Sequence, residues 1–124
     1  MNLTKVAMAL GILIAPWTAW GVTDGYSLDD YQLKTSEDLL DICSLPASDP
    51  GHWEARGFCI GYFTGGIDLH VALGLPRISC APGDVTRSDA IQVFIDFAKA
   101  NPQYLSERPM DTVFRAVQAK WPCS

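Results

Sequence analysis

Apolar residues recur at helical spacing in four stretches of this 124-residue chain, with turn-forming residues between them. The third stretch is the clearest. Ile91, Phe94, Ile95 and Ala98 repeat at i, i+3, i+4 and i+7, and Ala90, Val93 and Phe97 widen the same face. Thr86, with Asp89 three residues on, marks its start, and Asn101-Pro102 marks its end. In the fourth stretch Met110, Val113, Phe114, Val117 and Trp121 form one face; Pro109 suits the first turn and Pro122 ends it. The first is short, from Ser36 to about Ser44. Thr35 and Asp38 resemble a capping box with Asp in place of Glu or Gln, and Leu39, Leu40 and Cys43 share a face. The second runs from about Trp53 to Leu73, with Gly74 as its C-cap. Leu45–Gly51 contains Pro46 and Pro50 and reads as a loop; Leu75–Gly83 holds Pro76, Cys80, Pro82 and Gly83 and reads as irregular. No segment alternates long enough to form a strand. The pattern predicts an all-α fold, a small disulfide-stapled bundle of about four helices.

The second helix carries Gly57, Gly61 and Gly65 at intervals of four, with Gly66 beside the last. Each costs about 1 kcal/mol relative to alanine inside a helix, so the pattern asks for a compensation. Packing inside the bundle supplies one: without side chains, another backbone can approach closely along the i, i+4 ridge. On that reading Gly57, Gly61, Gly65 and the neighbouring Tyr62 are structural, and a bulky residue at Gly61 forces a helix contact apart. Phe58, Tyr62, Ile67, Leu69 and Val71 keep the segment apolar enough to be a helix. Glu54, Arg56, Asp68 and His70 mark it as unsuited to spanning a membrane.

Composition and targeting add the next constraint. Residues 1–21 read MNLTKVAMALGILIAPWTAWG, with Lys5 as the only charge, an apolar run from Val6 to Ala15, and small residues at Ala19 and Gly21. That is the layout of a cleaved secretory signal peptide. The run is shorter than the roughly 20 residues of a spanning helix, and Pro16 breaks it, so no stable membrane insertion is expected. Cleavage after Gly21 leaves one domain, residues 22–124, in an oxidising compartment. Cys43, Cys59, Cys80 and Cys123 all lie in that part, and an even count in a small exported chain points to two disulfides. Four cysteines allow three pairings. Cys43 ends the first helix and Cys59 lies early in the second; Cys80 precedes the third and Cys123 follows the fourth. If consecutive helices run antiparallel, that layout favours Cys43–Cys59 and Cys80–Cys123.

Charge narrows the partners. The chain has 14 acidic and 9 basic residues, net −5, and loss of Lys5 with the leader takes it to −6. Nucleic acid and anionic lipid surfaces need a basic face and are disfavoured. Asp24, Asp29, Asp30, Glu37, Asp38, Asp41, Asp49 and Glu54 face only Lys34 between Val22 and Glu54. This is a solvating acidic face or a surface for a basic partner. Catalytic chemistry has little to work with. His52 and His70 are the only histidines, and Asp68 and His70 at i, i+2 point to different helix faces. Cysteine spacings of 16, 21 and 43 do not make zinc pairs. Ser36, Ser44, Ser79 and Ser88 lack a nucleophile elbow. No catalytic residue, metal site or cofactor is assigned.

Several of these blocks together resemble a known family. Leu39-Leu40-x-x-Cys43, Cys59-x-Gly61-Tyr62-x-x-Gly65, Cys80 with Val85-Thr86, Asn101-Pro102, and Ala116 with Trp121-Pro122-Cys123 are similar to the Rap/Tai family of immunity proteins. The resemblance spans about residues 36 to 123. It implies a helical fold, a periplasmic address in a Gram-negative bacterium, and a non-enzymatic role. The partner it implies is an exported peptidoglycan amidase delivered by type VI secretion, whose active site the protein would occlude. It also implies a homodimer as a form of the free protein. Leu75–Gly83 and Asn101–Pro109 are the loops that could do the occluding. The alternative is a solitary periplasmic structural or chaperone-like module without a toxin partner.

Overall fold

The computed structural model describes residues 27–124, which form four α-helices and no strand: α1 (Ser36–Cys43), α2 (His52–Ala72), α3 (Arg87–Ala100) and α4 (Pro109–Lys120). The expected signal segment and its cleavage point lie outside the described residues. Short 3-10 turns at Asp30–Gln32 and Pro102–Tyr104 precede α1 and α4. The helix ends follow local chemistry. Thr35 and Thr86 each accept from the amide three residues on, and Asp38 and Asp89 answer with their carboxylates, completing two capping boxes. The Asp89 carboxyl is held below its ordinary range by its bonds to the Thr86 side chain and amide. α2 ends in a Schellman motif: Gly74 at φ +64°, its amide on the Val71 carbonyl and the Leu75 amide on the His70 carbonyl. A side chain at that φ would be strained, which is why glycine stands there.

One core joins the helices. α1 packs against α2, α3 and α4, and α3 packs against α2 and α4. Leu39 and Ile42 of α1, Phe63 of α2, Phe94 of α3 and Val113 of α4 are essentially inaccessible to solvent. Phe63 and Phe94 meet edge-to-face at 5.8 Å. Cys43 is bridged to Cys59 and Cys80 to Cys123, with Cα separations of 5.7 and 4.9 Å. Both lie in the ordinary range.

The start of α1 has an unusual setting. Its amides at Ser36 and Glu37 donate to the carbonyls of Glu107 and Leu105, in the loop before α4. Buried Ser36 and Thr112 hydrogen-bond each other at 2.6 Å, and Thr112 also donates to the Tyr104 carbonyl at 3.1 Å. Helix amides without intrahelical partners are thus satisfied by a loop distant in sequence. Asn101–Pro109 is consequently part of the core's frame and not a free arm. Arg115 pins it further, with paired bonds to Glu107 at 2.9 and 3.0 Å and its guanidinium over the Tyr104 ring.

The glycines of α2 do not pack inside the bundle. Cβ atoms built on Gly57, Gly61 and Gly65 meet nothing within 4 Å, and all three residues are exposed. The reason is angular. The buried row of α2 is Ala55, Cys59 and Phe63, and residues two apart on a helix are about 200° apart. The glycines therefore face away from the core. Only Gly66 has a packing neighbour, since a Cβ there would overlap the end of the Met110 side chain. With no close contact to lose, Gly61→Ala is expected to stabilise the protein by about 1 kcal/mol through helix propensity. Urea unfolding measures it, and a loss of stability would return the glycines to the interior.

Candidate protein-interaction face

α2 is continuous for 21 residues and runs through Gly65-Gly66 without a break. After Phe63 it has no buried residue, so its second half projects beyond the core. Along its outer side Trp53, Gly57, Gly61, Gly65, Leu69 and Leu73 follow at steps of four, and every one is exposed. Trp53 is 78% exposed, Leu69 60% and Leu73 63%. Steps of four form a ridge on a helix surface. Here the ridge has bulky apolar ends and a bare backbone centre. Beside it, Tyr62, Met110 and Phe114 wall a shallow apolar groove floored by Gly61, Gly65 and Gly66. Such a surface suits close approach by another protein's backbone or apolar side chains.

Tyr62 is half-buried in this wall. Its phenol is raised above its ordinary value, first by burial and then by the charge of Asp111, while a hydrogen bond accepted from the Met110 backbone amide pulls the other way. It remains a neutral donor and acceptor at the groove's edge.

Of the two loops singled out above, only Leu75–Gly83 stands free. Its residues are mostly exposed, yet it is held by three bonds at two points, Cys80 and Pro76. Cys80 is bridged to Cys123, the Cys80 amide donates to the Trp121 carbonyl at 2.8 Å, and His70 donates through Nε2 to the Pro76 carbonyl at 2.7 Å. The Trp-Pro-Cys terminus thus acts as a clamp for the loop. A segment fastened this way loses little further freedom on binding.

Both histidines are anchors. His52 donates through Nδ1 to the Leu45 carbonyl at 2.8 Å, fixing the turn before α2. His70 packs edge-to-face on Phe114 at 5.4 Å. Asp68 meets Arg87 and not His70, so the two do not form a catalytic dyad. All four cysteines are in bridges, and the described residues contain no group of three or more His, Cys, Asp or Glu arranged to hold a metal ion. No described helix is long and apolar enough to cross a membrane.

The acidic stretch does gather in space. Asp41 is raised above the usual carboxylate range by partial burial and then by the charges of Asp30, Glu37 and Asp38. This places the carboxylates of Asp30, Glu37 and Asp38 near enough to Asp41 to act on it.

What sequence reasoning missed was the direction of the glycine ridge, and a signal for it existed. Cys59 must face α1 to reach Cys43, so Gly57 and Gly61, two residues to either side, must face away.

Among known proteins, the profile of the Rap1a immunity proteins matches residues 35–123. No curated protein and no solved structure matches. The matched segment contains all four helices and both bridges, and the chain belongs to the Rap1a immunity protein family.

Proposed function

We propose that this member of the Rap1a immunity family is exported to the periplasm, cleaved after Gly21, and there neutralises an injected peptidoglycan amidase by covering its active-site groove. Family membership implies a cognate toxin. The amidase, the periplasmic address and the absence of catalysis by the protein itself rest on the resemblance and on the leader-like residues 1–21. The observation that carries the reading is the uncovered ridge of α2, Trp53 through Leu73, with its three exposed glycines. Glycines lower helix stability, and at these three a Cβ would meet nothing among the described residues. A contact made only on binding accounts for them. The clamped loop Leu75–Gly83 begins at the C-terminal end of the ridge and is the element that would enter the toxin's groove.

Coexpression in the periplasm with candidate amidases from the same genome, followed by a lysis assay, tests the reading. Protection at near-equal molar amounts is expected. Gly61→Leu should leave the free protein folded and no less stable, raised by somewhat under about 1 kcal/mol through the same gain in helix propensity, yet weaken toxin binding on the order of tenfold or more through overpacking at a close contact. Association should slow as salt rises if the acidic α1 region steers the encounter, with dissociation little changed. Failure to protect against every amidase, with none recovered from periplasmic extract, would favour the solitary helical module. Sedimentation of the free protein decides whether a second copy covers the ridge before toxin arrives. A concentration-dependent dimer that Gly61→Leu abolishes would establish the homodimer and its interface.

A further inference from the structure

Next to the glycine groove, across His70, Leu75 and Phe114, which line both, lies a second feature, a cavity of about 440 Å³ roofed by the Leu75–Gly83 loop. Its floor is the inner side of α3 and α4, where the buried residues Ala90, Val113 and Val117 lie beneath it. Ile78, Phe114 and Trp121 supply much of its wall. The volume lies within the range of small-molecule sites. The roof is fixed by the bridge, the Cys80–Trp121 bond and the His70–Pro76 bond described above, so the cavity is largely preformed.

Its polar groups are few and mostly of one sign. Arg77 and Arg87 line it. Arg77 has no hydrogen bond or ion pair among the described residues. Among the described residues Arg87 pairs with Asp68 alone, at 3.8 Å between groups that are both well exposed, a pairing that holds it weakly. Two more carboxylates flank the lining in sequence, Asp84 beside Val85 and Asp89, which is engaged by the Thr86 cap. His70, the third basic side chain in the lining, gives its Nε2 proton to Pro76. In a chain of net charge −5, an apolar cavity with two loosely held guanidiniums at its lining is complementary to an anion carrying an apolar body.

We propose that this cavity is a binding site for a small amphipathic monoanion, a carboxylate on a medium-length hydrocarbon chain. The chain lies over Ala90, Val113 and Val117, and the carboxylate meets Arg77 and Arg87. The site needs no toxin and is separate from the α2 ridge.

Decanoate is the probe, with decanol as its uncharged counterpart, and calorimetry the readout on the full protein. One decanoate is expected to bind per chain with a dissociation constant below about 1 mM, at least tenfold tighter than decanol. The double variant Arg77→Ala/Arg87→Ala, altered only at exposed side chains, should remove that tenfold preference and leave decanol binding unchanged. Val85→Trp, which fills the cavity beside Ala90, should abolish binding of both, with thermal melting showing that the fold persists. If Val85→Trp does not fold, the arginine variant decides alone. No saturable binding by decanoate, equal binding of decanoate and decanol, or an arginine variant that keeps the preference would each overturn the proposal.

Discussion

Phe63→Ala is expected to lower the stability of the folded protein by about 3–5 kcal/mol. Phe63 is fully buried, lies at the end of the inner row of α2, and meets Phe94 edge-to-face. Truncation removes the ring's transfer free energy and leaves a void between α2 and α3 that rigid neighbours close only in part. Natural domains are stable by about 5–15 kcal/mol in total, so the loss consumes a large share of the margin. Urea unfolding of the oxidised protein measures it. The contrast with Gly61→Ala is informative, because that substitution lies two residues away on the same helix and is expected to act with the opposite sign. A cost under about 1 kcal/mol at Phe63 would be that of a surface position and would place the inner face of α2 elsewhere.

The second large effect concerns the bridges, which are expected to differ in kind. By loop-closure entropy alone, a bridge across 16 residues contributes about 3 kcal/mol and one across 43 residues about 4. Position reverses that order. Cys59 is 1% exposed and its bridge ties α1 to α2 inside the core. Cys80 and Cys123 are exposed and fasten a loop to the chain's end. Without the outer bridge that loop can release while the bundle stays folded, so less of the entropy term reaches global unfolding. The Cys43→Ala/Cys59→Ala variant should therefore melt lower by on the order of 15 °C, and Cys80→Ala/Cys123→Ala by less. The outer variant should instead become sensitive to limited proteolysis within Leu75–Gly83 while α1–α4 stay protected. Equal melting shifts with no loop cleavage would show that the loop and the bundle unfold as one unit. Because the same loop roofs the cavity and flanks the ridge, releasing it should weaken ligand and toxin contacts more than its melting shift suggests.

Much of the fold was legible because its signals are local. Thr35 with Asp38 and Thr86 with Asp89 are capping boxes whose partners lie within one turn, so sequence alone located both helix starts. Gly74 and Pro109 marked their termini for the same reason. The cysteine pairing followed from helix order, since each bridge joins a point near the end of one helix to a point near the start or end of its neighbour. The candidate site was less legible. Its glycines were visible, but α2 is apolar on more than one side, with Phe58, Ile60, Tyr62 and Phe63 consecutive or nearly so. Periodicity could not choose which row faced the core.

By itself, then, the sequence determined the helices, their caps, the even cysteine count, the acidic balance and the family blocks, all of which depend on residues near in chain or on composition. Tertiary structure alone decided three things. It turned Ala55, Cys59 and Phe63 inward and the glycines outward, because α1 and α3 occupy only one side of α2. It made the carbonyls of Asn101–Pro109 acceptors for the amides and the Ser36 hydroxyl of α1, hydrogen bonds across some 70 residues that no local pattern encodes. It also left Leu75–Gly83 as a clamped roof over a cavity, since the bridge to Cys123 holds the loop above α3 and α4 without letting it collapse into the core. Each depends on which surfaces remain after the helices have packed, a property of the whole arrangement and of no single segment.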